Sequence, residues 1–311
     1  VPPRRRGSSA ERKPGGAARR WAEAFSPRRG LAHLVTRPAG SLPQVDGLRA
    51  LSVLWVIAFH IGWFSGIYYL PPEELRALAS DPLLRPLWSG DLGVDVFFVI
   101  SGFLLTDLLL EERAATGSLA VGRFYLRRAL RLLPAYAAAL ALHSGLGLQR
   151  CDTAWANLLY VNNFLPIARQ CMGWSWSLAV EAQFYLLLPP LLLLGLALPP
   201  PMLRRLLAGL GLAAFAVPLF VAAAHGLQLP VRFFPTLDGP GFQRYFDAFY
   251  DKPYVRFGPL LFGVVTAALR RRGDLLRGLE ARRGLAGAAA LLALTLCAAV
   301  SLYPAKDPAL G

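Results

Sequence analysis

The chain has 311 residues, 55% of them hydrophobic and 17% charged, with a formal net charge of +14. Apolar runs rich in Leu and Ala exceed what one water-soluble core needs, which leaves an all-α, polytopic integral membrane helical bundle. The basic excess does not call for nucleic acid. Of the 33 Lys and Arg, 24 fall before His60, in 112–131, at 204–205 and in 270–283, on alternate connections between apolar segments. That placement is the topology signal and sets the amino terminus in the cytoplasm.

Residues 1–41 read as a basic, disordered cytoplasmic tail that can touch anionic lipid, with a short interfacial helix near 21–37 and His33 at its surface. The first 45 residues lack the apolar core of a cleavable signal peptide. A transmembrane domain follows over 42–303, and 304–311 form a short tail. Segments of membrane length lie at about 48–66, 91–110, 132–148, 174–198, 206–226, 254–269 and 285–303, seven in all; the third and sixth are short and bounded by Arg and Pro.

The first span, from DGLRALSVLWVIAFH, carries Arg49 near its start and His60 well inside. Eleven residues make about three turns plus roughly 20°, so both side chains share a face about 16.5 Å apart, with Asp46 near it. An intramembrane His must face a partner or a cavity, where it does chemistry or ties two helices together. The second span holds Asp91, Asp95, Ser101 and Gly102. Asp91 suits a helix cap as well as a site, Asp95 can pair with a neighbouring Arg or His, and the glycine allows close helix approach.

Arg127, Arg128 and Arg131 follow in RFYLRRALRLLPAY. Arg128 and Arg131 can converge on phosphates as paired planar forks, although snorkelling also places arginines there. In the connection 149–173, Cys151 and Cys171 can form a disulfide or remain two thiols, and the CxxC and Cys/His spacings of a zinc site are absent. The fourth span begins GWSWSLAVEAQFY, with Trp176, Ser177 and Glu181. Glu181 lies about 10.5 Å below its outer interface, and His60 about 13.5 Å below it across a roughly 30 Å layer. The two can meet as an acid–base dyad or as a structural ion pair. The loop 227–253 resembles an aromatic lid; beyond it Tyr254 and Arg256 open YVRFGPLLFG, where Arg256 can hold a polar acceptor or close a loop salt bridge.

Taken in order, LPQVDGLRALSVLWVIAFH, GVDVFFVISGFLLTDLL, RFYLRRALRLLPAY, WSWSLAVEAQFYLLLP and YDKPYVRFGPLLFG resemble the membrane-bound acyltransferase 3 family. NLLYVNNF and YDKPYVRFGP lean toward its nose-resistant-to-fluoxetine branch, and WSLAVE toward bacterial O-antigen and exopolysaccharide acetyltransferases. The family's Arg, ten residues and His fall on Arg49 and His60; its paired arginines on Arg128 and Arg131; its SLxxE on Ser177, Leu178 and Glu181. The resemblance implies about ten spans, against seven here, so a truncated ten-span fold is one expectation. It also implies an acyl-coenzyme A co-substrate, acetyl-coenzyme A first, entering from the cytoplasmic face of a bacterial inner membrane, with no permanently bound cofactor. The implied acceptor is a hydroxyl of a glycan or other envelope molecule. His60 would serve as base or acyl relay, Glu181 would orient it, and Arg49 would stabilise charge near the thioester. A lipid or small-molecule transporter, or an inactive membrane interaction protein, are the alternatives.

Overall fold

A computed structural model describes residues 42–147, 151–225 and 240–271, together with 273, 282, 284, 287, 291 and 295. The tail 1–41, the loop portion 226–239, most of the seventh expected span with Cys297, and the tail 304–311 lie outside the described residues. The chain divides into two units, Val1–Gly47 and Leu48–Gly311. The first contributes the exposed Asp46. The second holds the helical bundle, whose first helix starts at Pro43, within the first unit.

Among the described residues every regular element is helical. Helix α1 is Pro43–Tyr69, followed by the short α2, Pro72–Ser80, and α3, Arg85–Trp88. Leu51, Leu54, Ile57 and Ile61 of α1 are exposed, whereas Ser52 and Phe59 are buried, as a helix with one face in lipid requires. Its Trp55 indole donates to the Pro86 carbonyl at 2.5 Å, which fixes α3 beside it. Then come α4, Leu92–Thr116, and α5, Val121–Gly145; Gly117 closes α4 in the left-handed conformation at φ 77°. After α6, Ala154–Leu158, and three single 3-10 turns, the long helices α7, Trp176–Ala197, and α8, Pro200–Ala224, follow. Helix α9, Pro240–Tyr245, runs into a π turn, Phe246–Tyr250, and α10 is Pro253–Arg271.

Among the described residues four stretches are long and apolar enough to cross a membrane: Pro43–Gly66, Leu92–Thr116, Gly173–Ala197 and Pro200–Ala224. They carry four of the seven expected spans. The expected third span overlaps the second half of α5 and the sixth lies within α10, helices that form but are less uniformly apolar. Arg123, Arg127, Arg128 and Arg131 occupy the first half of α5, and Arg256, Arg270 and Arg271 lie on α10.

Helices α4 and α10 run parallel and touch along their length. At the centre Gly102 and Gly263 bring the backbones together: a Cβ on Gly102 would meet the Leu260 carbonyl oxygen, and one on Gly263 would come within 2.6 Å of the Phe103 nitrogen. Arg256 meets Asp95 at one end of this seam, and Arg270 and Arg271 meet Asp107 at the other. Small residues at a membrane helix interface permit such contact. Helix α7 packs across, sharing the apolar core of Phe98, Leu109, Val180, Phe184, Leu188 and Leu260.

The connection 151–175 is polar inside. Tyr136 and Ser175 exchange a 2.7 Å hydrogen bond, and Asn157 donates to Tyr136 at 2.9 Å and to the Cys171 carbonyl at 2.7 Å. A disulfide joins Cys151 to Cys171, with Cα atoms 4.9 Å apart. The segment before α10 carries the Asp251–Lys252 ion pair at 2.8 Å and is held to this connection by a 2.8 Å bond from Gln170 to Asp251 and by Lys252 donating to the Asn163 carbonyl.

Gly102→Ala should destabilise the detergent-purified protein by about 1–3 kcal/mol, the usual cost of forcing atoms into a packed interface. Gly209→Ala, where nothing lies within 4 Å, should be neutral or stabilising. Equal thermal midpoints for the two variants would refute the seam as a packing constraint. Burial raises the Asp251 carboxyl from 3.8 to about 6, against the lowering effect of Lys252 and Gln170. An acid whose folded value is raised adds stability that is full below its unfolded value and is lost as pH rises through the folded one. Asp251→Asn should therefore flatten the fall in thermal midpoint between about pH 4 and 6; an unchanged slope would remove Asp251 as its source.

Candidate functional site

Glu181 sits on the inward face of α7 and is only 7% exposed. Its Oε1 accepts hydrogen bonds from Ser101 of α4 at 3.0 Å and from Tyr185 at 2.5 Å. Among the described residues no cation lies within ion-pair distance of it. A buried carboxylate needs donors, and here two neutral hydroxyls supply them. Ser101 is aimed at α7 by the tight backbone contact at its neighbour Gly102. Tyr185 belongs to none of the charged motifs that mark a site in the sequence; its signal is the polar-tipped ring one turn after Glu181, at i+4 on the same face.

Arg128 approaches this pair from α5. Its guanidinium carbon lies 5.7 Å from the Phe124 ring centroid and 5.8 Å from that of Tyr185. Its Nε is buried without a hydrogen-bond partner. Arg127 instead faces Glu112 at 3.5 Å, with Arg123 3.9 Å from the same carboxylate. Arg131 is exposed. The three arginines therefore diverge: one points at the Tyr185–Glu181 pair, one closes an ion pair and one faces outward.

His60 is partly buried on α1, with its Nδ1 2.8 Å from the Val56 carbonyl. A carbonyl only accepts, so Nδ1 donates in this contact and Nε2 is the ring nitrogen left for another partner. Phe59 meets the ring edge-on at 5.2 Å, and Phe64 lies 6.1 Å away. Among the described residues His60 and Glu181 share no hydrogen bond or ion pair. Arg49 stacks on Phe97, 5.7 Å from the centroid.

Where α4, α7 and α10 begin, Arg256 Nη1 binds both oxygens of Asp95 at 2.9 and 3.0 Å, and its Nε donates to the Tyr250 carbonyl at 2.6 Å. Its guanidinium also faces Trp176 at 4.8 Å and Tyr250 at 4.5 Å. A cation paired with carboxylate and flanked by two aromatic faces is fully held. Asp91 precedes α4 without a side-chain cap bond. Tyr254 is exposed and donates to the Ala248 carbonyl at 2.8 Å. Ser177 is partly buried, while the buried hydroxyl of that turn belongs to Ser175, two residues earlier. The structure thus gathers Ser101, Glu181 and Arg128 around Tyr185, and gathers Asp95, Trp176 and Arg256 at the starting end of the seam.

A family model described as an acyltransferase domain matches residues 42–309. The peptidoglycan O-acetyltransferase OatA of Listeria monocytogenes is 32% identical over 194 residues, covering 55% of this chain and 28% of that protein. The O-acetyltransferase OatA of Staphylococcus aureus is 34% identical over 168 residues, covering 48% and 24%. The matched stretches thus span about a quarter of these curated relatives. No solved structure matches significantly. With its match running through every helix of the bundle, the chain belongs to the acyltransferase 3 family.

Proposed function

We propose that this protein transfers an acyl group, acetyl first among candidates, from acyl-coenzyme A to a hydroxyl of a glycan or other envelope acceptor. Family membership supports acyl transfer, and the Listeria relative's name supports a glycan acceptor. The donor side is taken to be cytoplasmic on the charge distribution, and the membrane to be the bacterial inner membrane on the family resemblance.

The observation that carries this reading is the 2.8 Å contact between His60 Nδ1 and the Val56 carbonyl. With Nδ1–H spent on the Val56 carbonyl, Nε2 is free to take a proton. In direct transfer the acceptor oxygen attacks the thioester carbonyl while Nε2 removes its proton. A C–O bond forms, the C–S bond breaks, and the imidazolium returns the proton to the departing thiolate. Through an acyl-His intermediate the same ring acts as nucleophile first. Arg128, with its unpartnered Nε, suits a donor phosphate. Arg131 is exposed to join it, and Arg49 would stabilise negative charge near the thioester. Through Tyr185, donor charge at Arg128 would be sensed by Glu181.

Labelled acetyl-coenzyme A offered to the purified protein should show thioester turnover dependent on acceptor; specific uptake without turnover would replace the enzyme reading with transport. His60→Ala should lower transfer about 100-fold or more with donor affinity within a few fold. Arg128→Ala should chiefly weaken donor binding measured by calorimetry. Normal transfer by the His60 variant would end the mechanism. Tyr185→Phe removes one charge-assisted hydrogen bond to Glu181 and should lower kcat by about 10–100-fold with little change in donor KM. A raised KM at normal kcat would make Tyr185 a packing partner of Arg128 instead.

A further inference from the structure

A second group of reactive side chains lies outside this site, where α5 ends against the connection 151–175. His143 occupies the last turn of α5 and is 7% exposed, yet its Nε2 is buried with no hydrogen-bond partner. One ring nitrogen of His143 and the sulfurs of Cys151 and Cys171 all lie within 4.8 Å of one another. Cys171 is fully buried, and Trp174 meets the imidazole edge-on at 5.2 Å. His60 and His225 both turn a ring nitrogen to a carbonyl one turn back. His143 instead sits beside sulfur, and a buried imidazole nitrogen with neither water nor donor forfeits solvation.

We propose that in the dithiol state His143, Cys151 and Cys171 form a binding site for a thiophilic d10 metal ion of the Zn2+ type. Two thiolates and one imidazole nitrogen are a ligand set such ions take, and three protein ligands leave a fourth position for water. The chemistry balances with a dithiol as reductant. The Cys151–Cys171 bond takes two electrons and two protons from the dithiol, which leaves as its own disulfide. The ion then displaces both thiol protons and forms two metal–sulfur bonds and one bond to nitrogen. The imidazole supplies the ligand that the two cysteines lack, and no large movement is needed because the three groups are already together. The consequence is structural: the connection carrying Asn157, Asn162 and Asn163 stays tied to α5 in either redox state, by sulfur–sulfur in one and by metal in the other.

The test uses the full chain with Cys297→Ser, purified in detergent, reduced with a phosphine and freed of reductant anaerobically. The reduced protein should take up one equivalent of Co2+ with a thiolate-to-metal charge-transfer band, lost on adding Zn2+; the oxidised protein should take up none. His143→Gln should weaken Zn2+ about tenfold or more against a competing chelator, and Cys151→Ser with Cys171→Ser should abolish it. Because a variant at a buried site can fail to fold, the reduced wild type is also treated with diethyl pyrocarbonate, and Zn2+ should protect His143 from modification. Absence of stoichiometric uptake by the reduced protein, unchanged affinity in a monodisperse His143→Gln variant, or modification of His143 in the presence of Zn2+ would each overturn the site.

Discussion

The seam between α4 and α10 is the constraint on which the other arrangements rest. Gly102 and Gly263 let two backbones touch where side chains would hold them apart, so the facing residues of α4 acquire fixed partners on α10. The ends are closed by charge: Asp95 with Arg256 at one, Asp107 with Arg270 and Arg271 at the other. Sequence separations of 161 to 164 across these pairs show the two helices running in step. In an apolar setting, unmatched charge would be costly, so the ionic ends select this register while the glycines permit it. Ser101 inherits its direction from that register and meets Glu181.

The fixed carboxylate then organises α7 and α5. Glu181 has two hydroxyl donors and no direct counter-ion among the described residues, and Tyr185 stands between it and Arg128. Hydroxyls fix the position of the Glu181 carboxyl, whereas Asp95 is paired with a guanidinium. Two carboxylates of the same bundle thus have different duties. Asp95 ties helices together through an ion pair, while Glu181 is held by two hydroxyls, with Arg128 beyond Tyr185.

Much of this could be read from the sequence, and the limits have physical causes. Helix lengths, small residues at Gly102, and the family motifs on Arg49, His60, Arg128 and Glu181 are local patterns, legible by counting. Asp95 needing a basic neighbour was also legible, because an acid in an apolar segment demands one; that Arg256 supplies it depends on a contact 161 residues away. The depth argument set His60 and Glu181 at similar levels, but depth fixes one coordinate and rotation about each helix fixes another. Helix spacing likewise suggested that Arg128 and Arg131 converge. The aromatic surface of Phe124 and Tyr185 draws the first inward and leaves the second exposed, a choice that belongs to packing.

In the proposed reaction His60 would be a base that shares no hydrogen bond or ion pair with the Glu181 carboxylate among the described residues. In a dyad, the carboxylate both chooses the tautomer and stabilises the imidazolium. Here the Val56 carbonyl, one turn back on the same helix, chooses the tautomer without help from α7. A carbonyl brings only a partial charge, so an imidazolium formed in the proposed transfer would gain less stabilisation than a carboxylate would give. In the proposed transfer that would favour a short-lived charged ring, in which the proton passes quickly from acceptor hydroxyl to departing thiolate. In the proposed reaction Glu181 would then act on what Arg128 binds, and the two halves of the reaction would be governed from different helices.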